Sequence, residues 1–317
     1  MNTKTGSTVE GGLLIAVSLL LGLATVYLPV LGAVLEFFWS VPFAVLVIRH
    51  GLSKAITALI ASTLLLFLFV GPVLALRLSL AFGPIGLAIG YCLQRKFNAV
   101  QIFIVTLGAA FAAQVLSMAF LFFVMDIDFV DTQLTMMREA FEDSFVLYSE
   151  MGVDQATIDQ ARASVEPTIS TMTLLMPTII ALMALVNALV SYWASKKILR
   201  KLDVTMPDFP PFAEWRFPIV FLYIMGFALV GMYWGVTRDI GLLYDMSINA
   251  NVLAMLVGLI QGFSLISFAA DRYKLSKPVR RLIYVALFFN GLLLQAVAFT
   301  GLFDMYFDYR KRLTQKK

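Results

Sequence analysis

The stretch Val73–Leu93 reads VLALRLSLAFGPIGLAIGYCL, with one charge, Arg77, in its whole length. About 20 apolar helical residues cross a hydrocarbon core roughly 30 Å thick, so this run has the length of a membrane span. Eight more apolar runs lie on either side of it: Gly11–Leu31, Ala33–Ile48, Leu52–Val70, Phe97–Met125, Thr168–Ser195, Phe217–Val236, Met246–Ala270 and Leu282–Phe303. Ala33–Ile48 and Leu52–Val70 are the short ones. The runs lack period-2 alternation and are too long for barrel strands, which makes them helices. In lipid a backbone must satisfy its own hydrogen bonds, and a helical bundle does so. The fold class is therefore all-α: a polytopic transmembrane helical bundle of about nine spans.

Composition narrows the function. The chain is 60% hydrophobic and 14% charged, with a mean hydropathy of +0.87; soluble domains carry about 25% charged residues. The net charge of +4 comes from basic residues between apolar runs, where the positive-inside rule puts them, so no nucleic-acid partner is expected. The single cysteine, Cys92, excludes an intrachain disulfide and a thiolate metal cluster, and reads as a small buried apolar side chain. The sequence has no Walker A motif, no HExxH, no GxSxG and no intramembrane acid pair. The expectation is a protein that is not an enzyme, with no cofactor and no metal. Gly11–Leu31 is longer than a signal-peptide core and lacks a small-residue cleavage site, so it reads as a retained first helix.

Charge also orients the chain. With a cytoplasmic N-terminus in the bacterial inner membrane, fifteen of the 24 Lys and Arg residues face inward, from Lys4 and Arg49 through Arg280 and Arg281. The segment Asp126 to Glu166 then lies outside and carries ten acids against Arg138 and Arg162. One feature disagrees. Nine crossings put Arg310, Lys311, Arg312, Lys316 and Lys317 outside. Either the basic tail is translocated or a span is miscounted.

Three parts follow. Residues 1–201 form a six-span block that includes an external acidic hairpin, 126–167. Residues 202–216 form a cytoplasmic linker in which Pro207 and Pro210-Pro211 cannot continue a helix. Residues 217–317 form a three-span block with a basic tail. In the hairpin, Leu134, Met137, Phe141, Phe145 and Tyr148 recur at helical spacing, as do Ile158, Ala161, Val165 and Ile169. Met151-Gly152 breaks the two helices, and Asp154 is placed to cap the second. Two readings are open: an amphipathic pair packed on the membrane surface, or a lid over an external cavity.

Polar groups inside the lipid are the candidate site. Arg77 lies about one turn into its span, below the outer surface. A central arginine costs about 2.5–3.5 kcal/mol on insertion scales, which snorkelling partly relieves. Glu36 lies at a similar depth in the second span and is the natural partner for Arg77. Phe82-Gly83-Pro84 is expected to break the same helix and free carbonyls near Leu80, as in transporter sites. Gln114, Asn187, Gln261, Asn290 and Gln295 lie deep in their runs, where each can bond across helices for about 0.6 kcal/mol. The ligand-binding candidates are Arg77, Glu36, Gly83, Pro84 and Gln114. Gly12/Ala16, Gly86/Gly90, Ala109/Ala113 and Ala184/Ala188 are small-xxx-small pairs that allow close helix approach. His50, the sole histidine, sits beside Arg49 and Gly51 and reads as an interfacial residue or a proton relay.

Two stretches carry a family resemblance. One is Gly11-Gly12-Leu13-Leu14-Ile15-Ala16, with Leu28-Pro29-Val30-Leu31-Gly32, Val41-Pro42 and Arg49-His50-Gly51. The other is Phe212-Ala213-Glu214-Trp215-Arg216-Phe217-Pro218, with Gly301-Leu302-Phe303-Asp304 and Asp308-Tyr309-Arg310. Over nearly the whole chain these resemble the YybS-like family of bacterial membrane proteins, a domain of unknown function. That family is distantly similar to the substrate-binding S components of energy-coupling factor transporters. The similarity covers the first six spans. It implies an outward-open cavity near the depth of Arg77 and docking of a transmembrane partner on the first helix, at Gly12 and Ala16. Gly-xxx-Ala departs from the usual Ala-xxx-Ala, and the three extra spans depart from the S-component pattern.

The leading expectation is small-solute binding or uptake. Arg77 would be the counter-charge for an anionic solute, and an energising transporter subunit would be the partner. The alternative is a non-transporting scaffold or regulatory membrane protein that binds protein partners. A membrane enzyme acting on lipid-linked substrates is the third option, with no nucleophile or metal set to support it. A polar outward-open pocket around Arg77 would favour uptake, and a sealed apolar interior would favour the scaffold.

Overall fold

The computed structural model describes residues 3–315. Lys316 and Lys317 of the expected basic tail, and the side chain of Lys4, lie outside the described residues. The chain is helical throughout its long elements. They are α1 (Thr3–Tyr27), α2 (Pro29–Leu35), α3 (Ser40–His50), α4 (Leu52–Val70), α5 (Pro72–Gln94), α6 (Ala99–Met125), α7 (Phe129–Glu150), α8 (Gln155–Ala163), α9 (Val165–Leu174), α10 (Met176–Lys201), α11 (Val220–Thr237), α12 (Gly241–Arg272), α13 (Lys277–Phe288), α14 (Gly291–Phe307) and α15 (Tyr309–Gln315). Among the described residues, eight helical segments are long and apolar enough to cross a membrane. The ninth apolar run is divided: α13 and α14 meet at 105°.

Local chemistry explains the breaks. Gly51 (φ +88°) and Gly71 (φ +81°) hold left-handed backbone conformations that separate α3 from α4 and α4 from α5. Asn98 and Gln101 form a reciprocal capping box at the start of α6. The short second run is, as Val30–His50, long and apolar enough to cross a membrane, with a 3-10 turn at Glu36–Trp39 joining α2 to α3. Asn290 was expected to bond across helices from mid-span. It is instead the N-cap of α14, accepting from the Leu293 amide at 3.1 Å, and this cap accompanies the bend.

The chain forms two compact units: residues 1–165 with 179–208, and residues 166–178 with 209–317. The boundary at 208/209 falls inside the expected linker. The first unit is centred on Trp39, Phe43, Leu46, Leu66, Ile85 and Ile89, all fully buried. Trp39 Nε1 donates to the Ser18 carbonyl at 2.9 Å, and Thr63 and Ser79 hydroxyls pair at 2.6 Å. Gly86 and Gly90 of α5 face α3. A Cβ on Gly86 would lie 2.1 Å from the Ser40 carbonyl oxygen, and one on Gly90 would lie 2.7 Å from that of Ala44. The acidic hairpin forms as α7 and α8. Gly152 (φ +78°) makes the turn and Asp154 caps α8 through the Thr157 amide. Arg162 bonds Glu142 at 2.8 Å and lies over the Phe145 ring, joining the two arms.

In the second unit α12 packs against both α11 and α14. The approach to α14 is close enough to need glycine: a Cβ on Gly301 would lie 1.9 Å from the Gly258 carbonyl oxygen. Met225, Ala254 and Leu302 form the apolar centre there. Residues 166–178 join this unit through Asn249. The helix is interrupted between α9 and α10, beside Pro177. The Asn249 amide bridges the interruption. Its Oδ1 accepts from the Thr178 amide (3.1 Å) and hydroxyl (2.7 Å), and its Nδ2 donates to the Leu174 carbonyl at 2.8 Å. One side chain thus supplies both halves of the missing i→i−4 bond between residues 178 and 174.

Candidate functional site

The expected ligand residues lie on different elements and differ in exposure. Arg77 is exposed on α5 and Glu36 is half-buried. They lie within electrostatic reach of each other but form no direct ion pair among the described residues. Gly83 is buried, and a Cβ there would lie 2.8 Å from the Leu59 side chain. Pro84 sits inside a helix that runs unbroken from Pro72 to Gln94, so the expected break at Phe82-Gly83-Pro84 is absent. Packing against α3 and α4 holds the helix through the proline, and only the bond to the Leu80 carbonyl is forgone. Gln114 is half-buried on α6. Gly12 and Ala16 are both exposed on α1, with nothing within 4 Å of a Cβ added at Gly12. His50 does have an acid near it: Nε2 lies 3.0 Å from Glu10 Oε2, and Arg49 pairs with the other oxygen of Glu10.

The most concentrated buried polar cluster lies elsewhere, in the second unit. It is built from the turn Phe212–Glu214, α12, α14 and α15. Arg310, expected in the basic tail, is 2% exposed. Its Nη1 donates to the Ala213 carbonyl at 2.6 Å. Its Nη2 donates to the Trp215 carbonyl and the Ser264 hydroxyl, each at 2.9 Å. Its Nε lies 3.5 Å from Asp304 Oδ2, and its guanidinium lies 5.7 Å from the Phe268 ring centroid. Burial pulls the Arg310 pKa down, and the Asp304 carboxylate opposes that. The Ser264 hydroxyl lies 2.6 Å from the Phe212 carbonyl.

Asp304 is equally committed. Its Oδ1 accepts from the Tyr309 amide at 2.9 Å, and its Oδ2 accepts from Gln261 Nε2 at 2.6 Å. Gln261 in turn accepts from the Phe217 amide at 3.0 Å. At the rim, Arg216 donates to Asp308 at 3.1 Å, and Lys311 lies 3.3 Å from the same carboxylate. Both Asp304 oxygens are occupied, so this carboxylate is a clasp and not a free acid or base. It ties the start of the basic tail to the linker backbone. Sequence reasoning missed it. The signal was an aspartate closing an apolar run with an arginine six residues later, beside the Phe212–Pro218 motif.

Next to the clasp is an apolar groove of about 390 Å³, lined by Phe212, Phe263, Tyr284, Val285, Phe288 and Phe289. Phe263 and Tyr284, two of its lining residues, are in ring contact with centroids 5.8 Å apart.

Comparison with known proteins agrees with the membrane reading. The chain is 25% identical to the uncharacterized protein YybS of Bacillus subtilis (strain 168), over 98% of its own length and 99% of that protein. No solved structure matches significantly. The family model described as "Predicted membrane protein (DUF2232)" matches residues 16–305. Matched over nearly its whole length, the chain belongs to this family of membrane proteins.

Proposed function

We propose that the chain is a non-enzymatic scaffold or regulatory protein of the bacterial cytoplasmic membrane that acts by binding other membrane proteins. The observation that carries this reading is the packing of α5. The helix expected to line a solute cavity is held against the Ser40 and Ala44 carbonyls with no room for a methyl group, while Arg77 is exposed. On α1, Gly12 and Ala16 leave an open small-residue face, suited to close packing by a partner helix. A cytoplasmic N-terminus agrees with the inward bias of the basic residues.

The test is purification in gentle detergent followed by native mass spectrometry, for the wild type and for Gly12→Leu/Ala16→Leu. The proposal expects a partner subunit that the double variant loses, and no retained solute. A retained small solute that Arg77→Gln releases would overturn it. That outcome is the uptake reading, in which a distant similarity to S components would extend to solute capture. One observation favours it: Arg77 is an exposed cation within electrostatic reach of Glu36 and without a direct ion pair among the described residues.

A further inference from the structure

The bend between α13 and α14 leaves α13 as a short amphipathic helix with a cationic beginning and an apolar end. Lys277, Arg281, Tyr284, Val285 and Phe288 fall at i, i+4, i+7, i+8 and i+11, along one face about 16 Å long. The C-terminal part of that face, Tyr284, Val285 and Phe288, forms one wall of the apolar groove. Phe263 of α12, in ring contact with Tyr284, and Phe212 of the linker turn also line it. The groove has the volume of an ordinary small-ligand site but is lined by rings and aliphatic carbon.

The cations at the other end of the face are not used by the fold. Arg280, one residue away, is used. Its Nε and Nη2 bond the Leu275 and Ala270 carbonyls at 2.9 and 3.1 Å, and it pairs with Asp271, so it finishes α12. Lys277 and Arg281 are exposed and have no ion-pair partner among the described residues. Arg272 and Lys274, in the turn before them, are exposed and in the same condition. One helix face thus offers positive charge at one end and an apolar groove at the other. Clusters of Lys and Arg beside a span attract anionic headgroups.

We propose that this face is a binding site for one anionic phospholipid. Lys277 and Arg281 hold the headgroup phosphate, and one acyl chain lies along the groove lined by Phe212, Phe263 and the end of α13. The groove's aromatic lining and the charge on the same face fit an amphiphile better than a water-soluble anion, which would leave the apolar half empty. Phe212 is also in ring contact with Trp215, whose carbonyl accepts from Arg310. The lipid would therefore sit directly against the clasp.

The experiment uses the full-length protein in mixed micelles containing equimolar phosphatidylglycerol and phosphatidylcholine. Native mass spectrometry counts the lipids retained. The proposal expects one phosphatidylglycerol held in preference to phosphatidylcholine. Lys277→Gln/Arg281→Gln should reduce that preference roughly thirtyfold, given the worth of each surface cation near anionic lipid. Val285→Trp, which fills the groove, should abolish retention of the lipid. All three positions are exposed, so the fold is expected to survive, and far-UV circular dichroism checks it. Equal retention of the two lipids by the wild type would overturn the proposal, as would an unchanged preference in the double variant or undiminished retention by Val285→Trp.

Discussion

Asp304 and Arg310 face each other at 3.5 Å with each side chain only 3% exposed. Six residues separate them in sequence, and the chain reverses between them at Asp308, which has a left-handed φ of +44°. The remaining partners of Arg310 are linker carbonyls and Ser264, so the pair locks α15 onto the Phe212–Trp215 backbone.

Breaking one side of such a pair strands a buried charge. Asp304→Leu and Arg310→Met are each expected to destabilise the protein by about 3–5 kcal/mol. The double variant should cost less than the sum, because it removes both charges together. Denaturant titration of the purified protein in detergent, followed by circular dichroism, measures the cycle. Strict additivity would mean that the two side chains act independently.

Asn249 makes a sharper local prediction. Asn249→Leu leaves the Thr178 amide and the Leu174 carbonyl without their partner. The expected cost is about 1–3 kcal/mol. Hydrogen exchange provides the direct readout: the Thr178 amide should exchange faster in the variant while amides in α14 stay protected. Equal protection of Thr178 in both proteins would show that another group satisfies it.

Two glycines should respond in opposite ways to the same change. Gly301→Ala puts a methyl 1.9 Å from the Gly258 carbonyl oxygen and 2.4 Å from the Gly262 nitrogen, so α12 and α14 must separate. Overpacking of this kind costs about 1–3 kcal/mol or more. Gly226→Ala meets nothing within 4 Å and removes a helix-weakening residue, worth up to about 1 kcal/mol in its favour. Thermal unfolding of the two variants in the same detergent tests the contrast.

Acid should loosen the rim of the clasp. Burial pushes the Asp308 carboxyl up, but hydrogen bonds from Arg216 and Lys311 outweigh it and hold the pKa below its usual value. A depressed carboxylate contributes stability above its unfolded pKa, about 3.9 for aspartate, and loses it as pH falls through the lower folded value. The Asp308 contribution should therefore be full at pH 6 and disappear progressively below about pH 4. Arg216→Gln raises the folded pKa toward the unfolded one, so it should flatten that part of the stability profile. An unchanged profile in Arg216→Gln would mean that Arg216 does not set the Asp308 titration.

The spans were legible because each is a long apolar run whose ends are marked by Gly51, Gly71 or a cap such as Asn98. The hairpin was legible for the same reason: Met151-Gly152 and Asp154 are local signals, and local geometry obeys them. Phe82-Gly83-Pro84 was misleading because neighbouring helices decide whether a proline breaks a helix, and Gly86 and Gly90 bind α5 tightly to α3. Asn290 looked like a mid-span residue until the bend made it a cap. Arg310 was read only as part of a basic tail because its partners Ala213 and Trp215 lie 97 and 95 residues earlier in the chain. Their carbonyls carry no side-chain signature.

The clasp puts the start of the basic tail beside the linker. Cys92 is fully buried, so a cysteine introduced at the surface can be labelled selectively. Lys311→Cys and Glu214→Cys are exposed positions on the two sides of the clasp. In intact cells a membrane-impermeant maleimide should treat them alike, leaving both unlabelled until the membrane is opened. Labelling of Lys311→Cys in intact cells while Glu214→Cys stays protected would put tail and linker on opposite faces and contradict the account.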